Sequence, residues 1–308
     1  MDSYPQKSTS DQLNPESPTP ICDYEDSPWR TAFWPGREYE DRAERIALEH
    51  MLPMHGKRLC EIGAGFGRLA DFYRGYGRVI LLDYSLSMLR DARTRVQNDP
   101  RILFVAADLY NLPLADSALD TALTVRVLHH VADIPRAFGE ISRVIRPQGV
   151  YLTEFANKRH IKAVLRYMIT HGEPNPFTLE PYEFVKLNSD FHPRYIQDEL
   201  AKNEFVIDDQ RAVSTFRLAL LKRMIPAIIL ASLDGAIQHP TSSWQLSPSI
   251  FLRAHSTKPG APELNAALWR CPTCGSIDIL ESASDLTCRA CTQIYPIVDG
   301  IIDFKSHM

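Results

Sequence analysis

The sequence predicts an α/β protein built on a doubly wound, mostly parallel sheet of seven strands, with a small cysteine-rich module at its C-terminal end. Three observations carry this. Short apolar runs alternate with amphipathic helical patterns between residues 58 and 155, and Gly63, Gly65 and Gly67 crowd the turn after the first run. Near the end, Cys271, Cys274, Cys288 and Cys291 form two C-x2-C pairs.

Residues 1–27 are rich in Ser, Pro, Asp and Thr and poor in large apolar side chains, so they are expected to be a disordered tail. A helical period follows at Ala43, Ile46, Ala47 and Met51, and Pro53 and Gly56 end it. "RLCEI" reads as the first strand, with a helix expected from about Arg68; "RVILLD" is the second, followed by the helix of "SLSMLRDARTRVQ". "ILFVAA" is the third strand, "LDTALTV" the fourth with the helix "IPRAFGEISRVIR", and "VYLTEF" the fifth. Strands that are apolar throughout are buried on both faces, which implies a parallel sheet sandwiched by helices.

Beyond the fifth strand come helices at "RHIKAVLRYMI" and "RYIQDELAKN", separated by a Pro/Asn/Glu-rich loop around 172–181. "FVIDDQ" and "SIFLRAH" suit an antiparallel hairpin at the sheet edge and complete the seven strands. The long apolar stretch "FRLALLKRMIPAIILASL" contains Arg217, Lys222, Arg223 and Pro226, which argue against a bilayer span; it reads as a buried, kinked helix or the wall of an apolar pocket. "STKPGAPELN" reads as a linker. The expected organisation is therefore an α/β domain over 28–256, a linker over 257–266 and a cysteine module over 267–308.

A chain of 308 residues that is 44% hydrophobic can bury one large core and a small appendage. Its net charge of −4 draws it neither to nucleic acid nor to an anionic surface as a whole. The N-terminal residues have no basic segment followed by an apolar one, and no apolar run reaches membrane-spanning length, so a soluble, cytoplasmic protein is expected. In a reducing compartment, paired cysteines point to a metal rather than to disulfides.

In a doubly wound sheet, ligands bind outside the carboxyl ends of the strands, where the glycine-rich turn falls. Dinucleotide folds prefer G-x-G-x-x-G, but the spacing here is G-x-G-x-G, with Glu61 two residues ahead of the first glycine. A pyrophosphate favours a helix N-terminus free of negative charge. Glu61 is awkward for that ligand and an asset for one bearing an amino group and a sulfonium. Asp83 ends the second strand, 20 residues past Gly63, where an acid accepts from ribose hydroxyls. Asp108 follows the third strand, placed to accept from an adenine amino group.

The stretches "LCEIGAGFGRLA", "LLDYSLSML", "VAADLYNLPLADSALDTALTVRVLHHVAD" and "EISRVIRPQGVYL" together resemble the class I S-adenosylmethionine-dependent methyltransferases, particularly the branch of ubiquinone and menaquinone biosynthesis enzymes, over roughly Arg58 to Phe155. The resemblance implies a Rossmann-like fold. It also implies that Gly63, Ala64 and Gly65, in the loop that Gly67 completes, approach the methionine moiety. By the same analogy Asp83 takes the ribose, Tyr84 and Met88 flank adenine, Asp108 and Leu109 recognise its edge, and Arg126 lines the other side.

Methyl transfer from a sulfonium is an in-line displacement, so alignment and exclusion of water dominate, and a base is needed only if the acceptor must lose a proton. Candidates for that base are His129 and His130, after the fourth strand, although the "LHHVAD" pair in the resembling family is largely a feature of the strand-to-helix turn. Tyr39 is another, in an aromatic and arginine cluster with Trp29, Phe33, Trp34 and Arg37 that either closes over the cofactor or anchors the first helix. His192 and Arg194 fall where acceptor-specific insertions occur. Asp120, at the start of the fourth strand, reads as structural. Lys158, Arg159, Lys162 and Arg166 read as a solvated basic face, with phosphate binding as the alternative.

In the cysteine module, thirteen residues separate Cys271-x2-Cys274 from Cys288-x2-Cys291. Two thiolate-bearing turns make a closed tetrahedral site, which predicts structural zinc that supplies most of the module's folding energy. "LTCRACTQIYPIVDGI" resembles the small zinc-binding partner subunits that activate several tRNA, ribosomal and translation-factor methyltransferases, which implies a stabilising role within this chain or contact with a protein partner or a second copy. Thr292 departs from that pattern where a glycine is common, as does Ile302 where a proline is common. From Ala267 onward, Arg270, Arg289 and Lys305 face five acidic residues, which disfavours direct RNA binding by the ribbon.

The leading expectation is an S-adenosylmethionine-dependent methyltransferase acting on a small, partly apolar acceptor. The alternatives are methylation of RNA or protein with the ribbon as a docking module, and a non-catalytic cofactor-binding scaffold. After the fourth strand the chain reads "TVRVLHH" rather than an N/D-P-P-Y/F signature, which counts against amino methylation of bases or glutamine.

Overall fold

Five apolar strands form the parallel heart of the sheet in a computed structural model that describes residues 19–27, 34–96 and 99–305. They are β1 (Gly56–Ile62), β2 (Tyr76–Asp83), β3 (Ile102–Ala106), β4 (Leu119–Thr124) and β5 (Ile145–Ala156), in the order β3-β2-β1-β4-β5. The order reverses direction between β1 and β4, the switch point at which the carboxyl ends of neighbouring strands leave a crevice. Beyond β5 lie β9 (Ser249–Ser256), antiparallel to it, and β8 (Phe205–Val213), antiparallel to β9, which is the expected hairpin edge.

The sheet does not stop at seven strands. At the free edge of β3, β13 (Ile301–Asp303) pairs in parallel, and β12 (Ile294–Val298), β11 (Asp285–Cys288) and β10 (Ile279–Glu281) continue to a total of eleven. The expectation of seven strands is corrected for a physical reason. An uncovered edge strand offers unpaired N–H and C=O groups, and β13 fills it while burying Ile301 and Ile302. Phe304 follows, packed against Tyr295 at 4.6 Å and Trp269 at 5.5 Å between ring centroids. The β12–β13 turn is Asp299-Gly300, both at positive φ (52° and 70°), as a two-residue hairpin of this hand requires. The cysteine module is thus joined to the sheet by backbone pairing.

Helices cover both faces. On one, α1 (Glu38–Met51), α2 (Leu86–Val96) and α7 (Ala227–Gln238) bury Ala43, Ala47, Leu89 and Leu230. On the other, α3 (Ile134–Val144) and α5 (Pro193–Lys202) bury Phe138, Ile141, Ile196 and Leu200. The remaining elements are α4 (Ile161–Thr170), the small hairpin of β6 (Tyr182–Val185) and β7 (Asn188–Asp190), and α6 (Ala219–Met224).

Three further expectations are corrected. No long helix starts at Arg68; a single 3-10 turn at Ala70–Tyr73 connects the glycine loop to β2. The connection is short, and Gly75, just ahead of β2, packs so closely on the Met54 carbonyl that a Cβ there would lie 1.8 Å from its oxygen. The apolar stretch after Phe216 is two helices parted at Pro226 rather than one buried helix, with Leu220, Met224, Ile228 and Ile229 exposed. Residues 19–27, assigned to a disordered tail, make specific contacts: Glu25 accepts from the Ser87 amide (3.1 Å) and the Ser85 hydroxyl (3.0 Å) at the start of α2. Residues 1–18 lie outside the described residues. Asp120 holds the structural role expected of it, accepting from the Lys57 and Arg58 amides (2.7 Å each) and pairing with Arg146 (3.0 Å).

Candidate functional site

A cavity of about 590 Å³ opens at the carboxyl ends of β1, β2, β3 and β4. Its floor is the glycine loop. Gly63 and Ala64 donate to the Leu82 carbonyl (2.8 and 2.9 Å), which ties the loop to β2. Gly63 sits at φ +74°, and a Cβ there would lie 2.3 Å from Val127 Cγ2; Gly65, at φ +54°, would meet nothing within 4 Å. One glycine is therefore demanded by packing, and the other opens the backbone onto the cavity. Gly67 departs from the expectation of ligand contact: it lies outside the cavity lining, and at φ +70° its Cβ position faces Ala92 at 3.2 Å.

Glu61 lines the cavity yet is buried, and burial pushes its carboxyl up to about 8. The nearby Tyr73 hydroxyl does not complete a bond: Glu61 Oε2 and the Tyr73 oxygen are both buried without hydrogen-bond partners. A buried carboxyl without a well-formed hydrogen bond can take a further donor or a cation.

Asp83 accepts from the Gly65 amide through Oδ2 (2.7 Å) and from the Ser85 amide through Oδ1 (2.9 Å), so it clamps the glycine loop while facing the cavity. Burial raises its carboxyl above the ordinary value. Tyr84 and Met88 line the next wall. Lys305, just past β13, donates to the Tyr84 carbonyl and lies 4.3 Å above the Tyr84 ring, a cation–π contact. Asp108 accepts from the Tyr110 amide (2.8 Å) and lines the cavity beside Leu109; burial raises its carboxyl as well.

Across the crevice, Arg126 holds φ +61°, uncommon for a residue with a side chain, and its amide donates to Glu154 at 2.9 Å. Its guanidinium pairs with Glu44, which Arg68 also bonds at 2.8 Å. Burial opposes ionisation of Glu44, but the two arginines prevail and hold its carboxyl below the usual range. Both guanidiniums lie over the Trp34 ring, Arg68 at 4.3 Å and Arg126 at 5.1 Å. The aromatic and arginine cluster thus lies at the cavity through Trp34; Trp29 and Phe33 fall outside the described residues.

The candidate bases separate. His130 Nδ1 lies 2.9 Å from the Leu187 carbonyl, which can only accept, so Nδ1 carries the proton and Nε2 accepts from the Tyr24 hydroxyl at 2.8 Å. His130 is neutral and satisfied. His129 also lines the cavity, and burial, with His130 and Arg126 adding to it, holds its imidazole well below its ordinary value. Tyr39 is not in the cavity: it is buried in the core, its hydroxyl accepting from the Phe216 amide at 2.9 Å. His192 lies outside it too, capping α5 by accepting from the Arg194 amide at 3.1 Å, and Arg194 faces Asp198 at 3.6 Å. Of the supposed basic face, Lys158 is buried, its ammonium donating to Thr178 at 3.0 Å, while Lys162 and Arg166 are exposed.

Sequence reasoning missed Glu44, Glu25 and Lys305. Glu44 left a signal, an acid beside the apolar positions Ala43 and Ala47 of an amphipathic helix. Glu25 and Lys305 left none, because both act across long separations in sequence.

In the cysteine module the four sulfurs lie within 4.8 Å of one another. Each pair is set by a turn, with the Gly275 amide donating to the Cys271 carbonyl and the Thr292 amide to the Cys288 carbonyl, both at 2.8 Å. The Tyr295 hydroxyl lies 3.0 Å from Cys271 Sγ and from Thr273 Oγ1. The set is all thiol and compact, with Cys271 and Cys288 buried and Cys274 exposed, which fits a four-coordinate metal.

This combination of switch-point cavity, glycine loop and strand-end acids agrees with what comparison shows. Residues 60–153 match the family described as the methyltransferase domain. Among curated proteins, the chain is 36% identical over 102 residues to malonyl-[acyl-carrier protein] O-methyltransferase of Pectobacterium atrosepticum, covering 32% of this chain and 39% of that protein. It is 32% identical over 118 residues to demethylmenaquinone methyltransferase of Paenarthrobacter aurescens, covering 38% and 46%. The chain spans between about a quarter and half of the length of the curated relatives it matches. Among solved structures, one chain of the complex between the Trm112 methyltransferase activator of Haloferax volcanii and a protein described as a methyltransferase aligns with TM-score 0.53 and 16% identity, over 75% of this chain and 96% of that one. An S-adenosylmethionine-dependent methyltransferase of Thermotoga maritima aligns with TM-score 0.51 and 20% identity, over 73% and 93%. These structural likenesses bear on the fold alone. Over residues 60–153, about a third of the chain, the sequence is similar to methyltransferase domains.

Proposed function

We propose that the cavity binds S-adenosylmethionine and that the protein transfers its methyl group to a small, partly apolar acceptor. The observation that carries this is Glu61: a buried carboxylate with an unpartnered oxygen, at the head of a loop whose Gly65 opens onto the cavity. A ligand with an ammonium group satisfies that oxygen, and an anionic ligand does not. Asp83 and Asp108, both facing the cavity and keeping unused lone pairs, accept from ribose hydroxyls and the adenine amino group, with Tyr84 and Met88 against the adenine. When bound, the sulfonium supplies an electrophilic methyl group.

The chain's own residues then do three things. Glu44 fixes Arg126 and Arg68 against Trp34, which closes one side of the cavity to water. Tyr24, His130, Val185 and Asn188 also line the cavity and offer a wall for an acceptor with an apolar body. His130 is spent on Tyr24 and Leu187, and His129 is held neutral, so neither serves as a strong base. The acceptor therefore brings its own nucleophilicity, and alignment does most of the work.

The four cysteines would hold a structural zinc ion. Because β13 is paired with β3 and Lys305 holds Tyr84, the ribbon serves within this chain as a stabiliser of the adenine wall. The proposal is tested by incubating the zinc-loaded protein with S-adenosylmethionine and pools of small acceptors, and following S-adenosylhomocysteine by mass spectrometry. Turnover with at least one acceptor, lost on Asp83→Ala, is expected. Binding of the cofactor without turnover across nucleophile classes contradicts the enzymatic reading.

A further inference from the structure

The helices after β5 carry their apolar side chains outside. In α4 only Ala163 is buried, whereas Ile161, Leu165, Met168 and Ile169 are 41%, 52%, 64% and 81% exposed. Their spacing of i, i+4, i+7 and i+8 puts them on one face, the face a surface helix ordinarily turns inward. No residue of α6 is buried, and Leu220 and Met224 are 68% and 71% exposed; Ile228 and Ile229 of α7 extend the pattern. An apolar surface of this extent marks an interaction site.

These pieces adjoin. Lys162 Nζ donates to the Arg217 carbonyl at 2.8 Å, which ties α4 to the approach to α6. The Ile161 amide donates to the Leu246 carbonyl at 2.9 Å, two residues past Trp244, itself exposed. The Tyr167 ring meets Phe177 edge-on at 5.8 Å, which carries the surface toward the β6–β7 hairpin, whose Val185 lines the cavity.

Charge selects the occupant. From Arg159 to Gly172 and from Arg217 to Leu233 there is no Asp or Glu, while Lys and Arg recur in both stretches. Arg217 and Lys222 face the buried Glu40, but Lys162, Arg166 and Arg223 are exposed. The face formed by α4, α6 and the start of α7 is thus basic and apolar on a chain whose net charge is −4, and exposed Glu173, Glu180 and Glu183 bound it on the side of the β6–β7 hairpin. A second copy docked here would bring like charges together. An anionic lipid surface answers both features: aliphatic side chains enter the headgroup boundary, Lys and Arg reach phosphates from its edge, and a tryptophan ring suits that depth.

We infer that this face docks the protein peripherally on an anionic phospholipid membrane. Among the described residues no helix is long and apolar enough to cross a membrane, so the contact is with its surface. The inference is independent of what the cavity binds.

The test is flotation of the full-length protein with vesicles of phosphatidylcholine alone and of phosphatidylcholine mixed with phosphatidylglycerol. The mixed vesicles are expected to bind at least about tenfold more protein, less so as salt rises. Two exposed double substitutions, Met168→Asp with Ile169→Asp and Arg166→Glu with Arg223→Glu, are each expected to reduce binding about tenfold at unchanged circular dichroism and melting temperature. Absence of binding, or equal binding to both vesicles, overturns the inference. So does a dimer in light scattering that the Met168→Asp, Ile169→Asp variant disperses, which would make this face a contact between copies.

Discussion

Replacing Glu61 by Gln separates what the fold tolerates from what the cofactor needs. Burial sets the Glu61 carboxyl at about 8 against an ordinary 4.5, so the folded protein holds a proton there that the unfolded chain has lost. The wild type therefore loses stability as pH rises from about 4.5 to about 8 and levels off above that. At pH 7 only about one molecule in ten carries the ionised form that an ammonium group needs. Cofactor binding must then release about 0.9 proton at pH 7, and affinity must tighten about tenfold between pH 6 and 7 and flatten near 8, where the ligand's own amine begins to deprotonate. Glu61→Gln abolishes the proton release and the pH dependence, and weakens binding about tenfold to a hundredfold at pH 8, the scale of a lost charge-assisted hydrogen bond. The same variant is more stable than the wild type at pH 8, because it no longer buries a carboxylate. Calorimetry in two buffers of different ionisation enthalpy reads the proton, and thermal unfolding reads the stability. A wild type that binds without releasing a proton, or a Gln variant that keeps the pH dependence, refutes the reasoning.

Three other predictions concern backbone and ribbon. Gly63→Ala combines a left-handed backbone with a 2.3 Å clash against Val127, and is expected to destabilise by about 2–4 kcal/mol in denaturant unfolding, whereas Gly65→Ala, with open space before it, costs about 1 kcal/mol. Lys305→Met removes the carbonyl bond and the cation over Tyr84, and should weaken cofactor binding about threefold to tenfold by calorimetry. Thr292 is β-branched at φ +61°, so Thr292→Gly is expected to stabilise the zinc-loaded protein by about 1 kcal/mol, seen as a higher melting temperature.

The parts of this molecule written in local patterns were legible in its sequence. Apolar runs such as "RVILLD" gave parallel strands, the glycine spacing and Glu61 pointed to the cavity, and two C-x2-C pairs brought four sulfurs together. What escaped is non-local. β13 is three residues long and pairs with a strand about two hundred positions away, so no window of sequence contains the pairing. Lys305 and Glu25 reach their partners the same way. Tyr39 and His192 misled because aromatic and imidazole groups near a predicted site serve equally well as core filler and helix cap. The outward apolar stripe of α4 has the same periodicity as an inward one, and only the position of its neighbours tells the two apart.

The central claim is that the cavity is an S-adenosylmethionine site, and titration calorimetry of the zinc-loaded protein with S-adenosylmethionine and S-adenosylhomocysteine tests it most directly. Binding of both in the micromolar range, lost in Gly65→Arg, which fills the open space before the loop, and in Asp83→Ala, which removes the loop clamp, is the predicted result. A folded wild type that binds neither ligand, or binding that survives both substitutions, contradicts it.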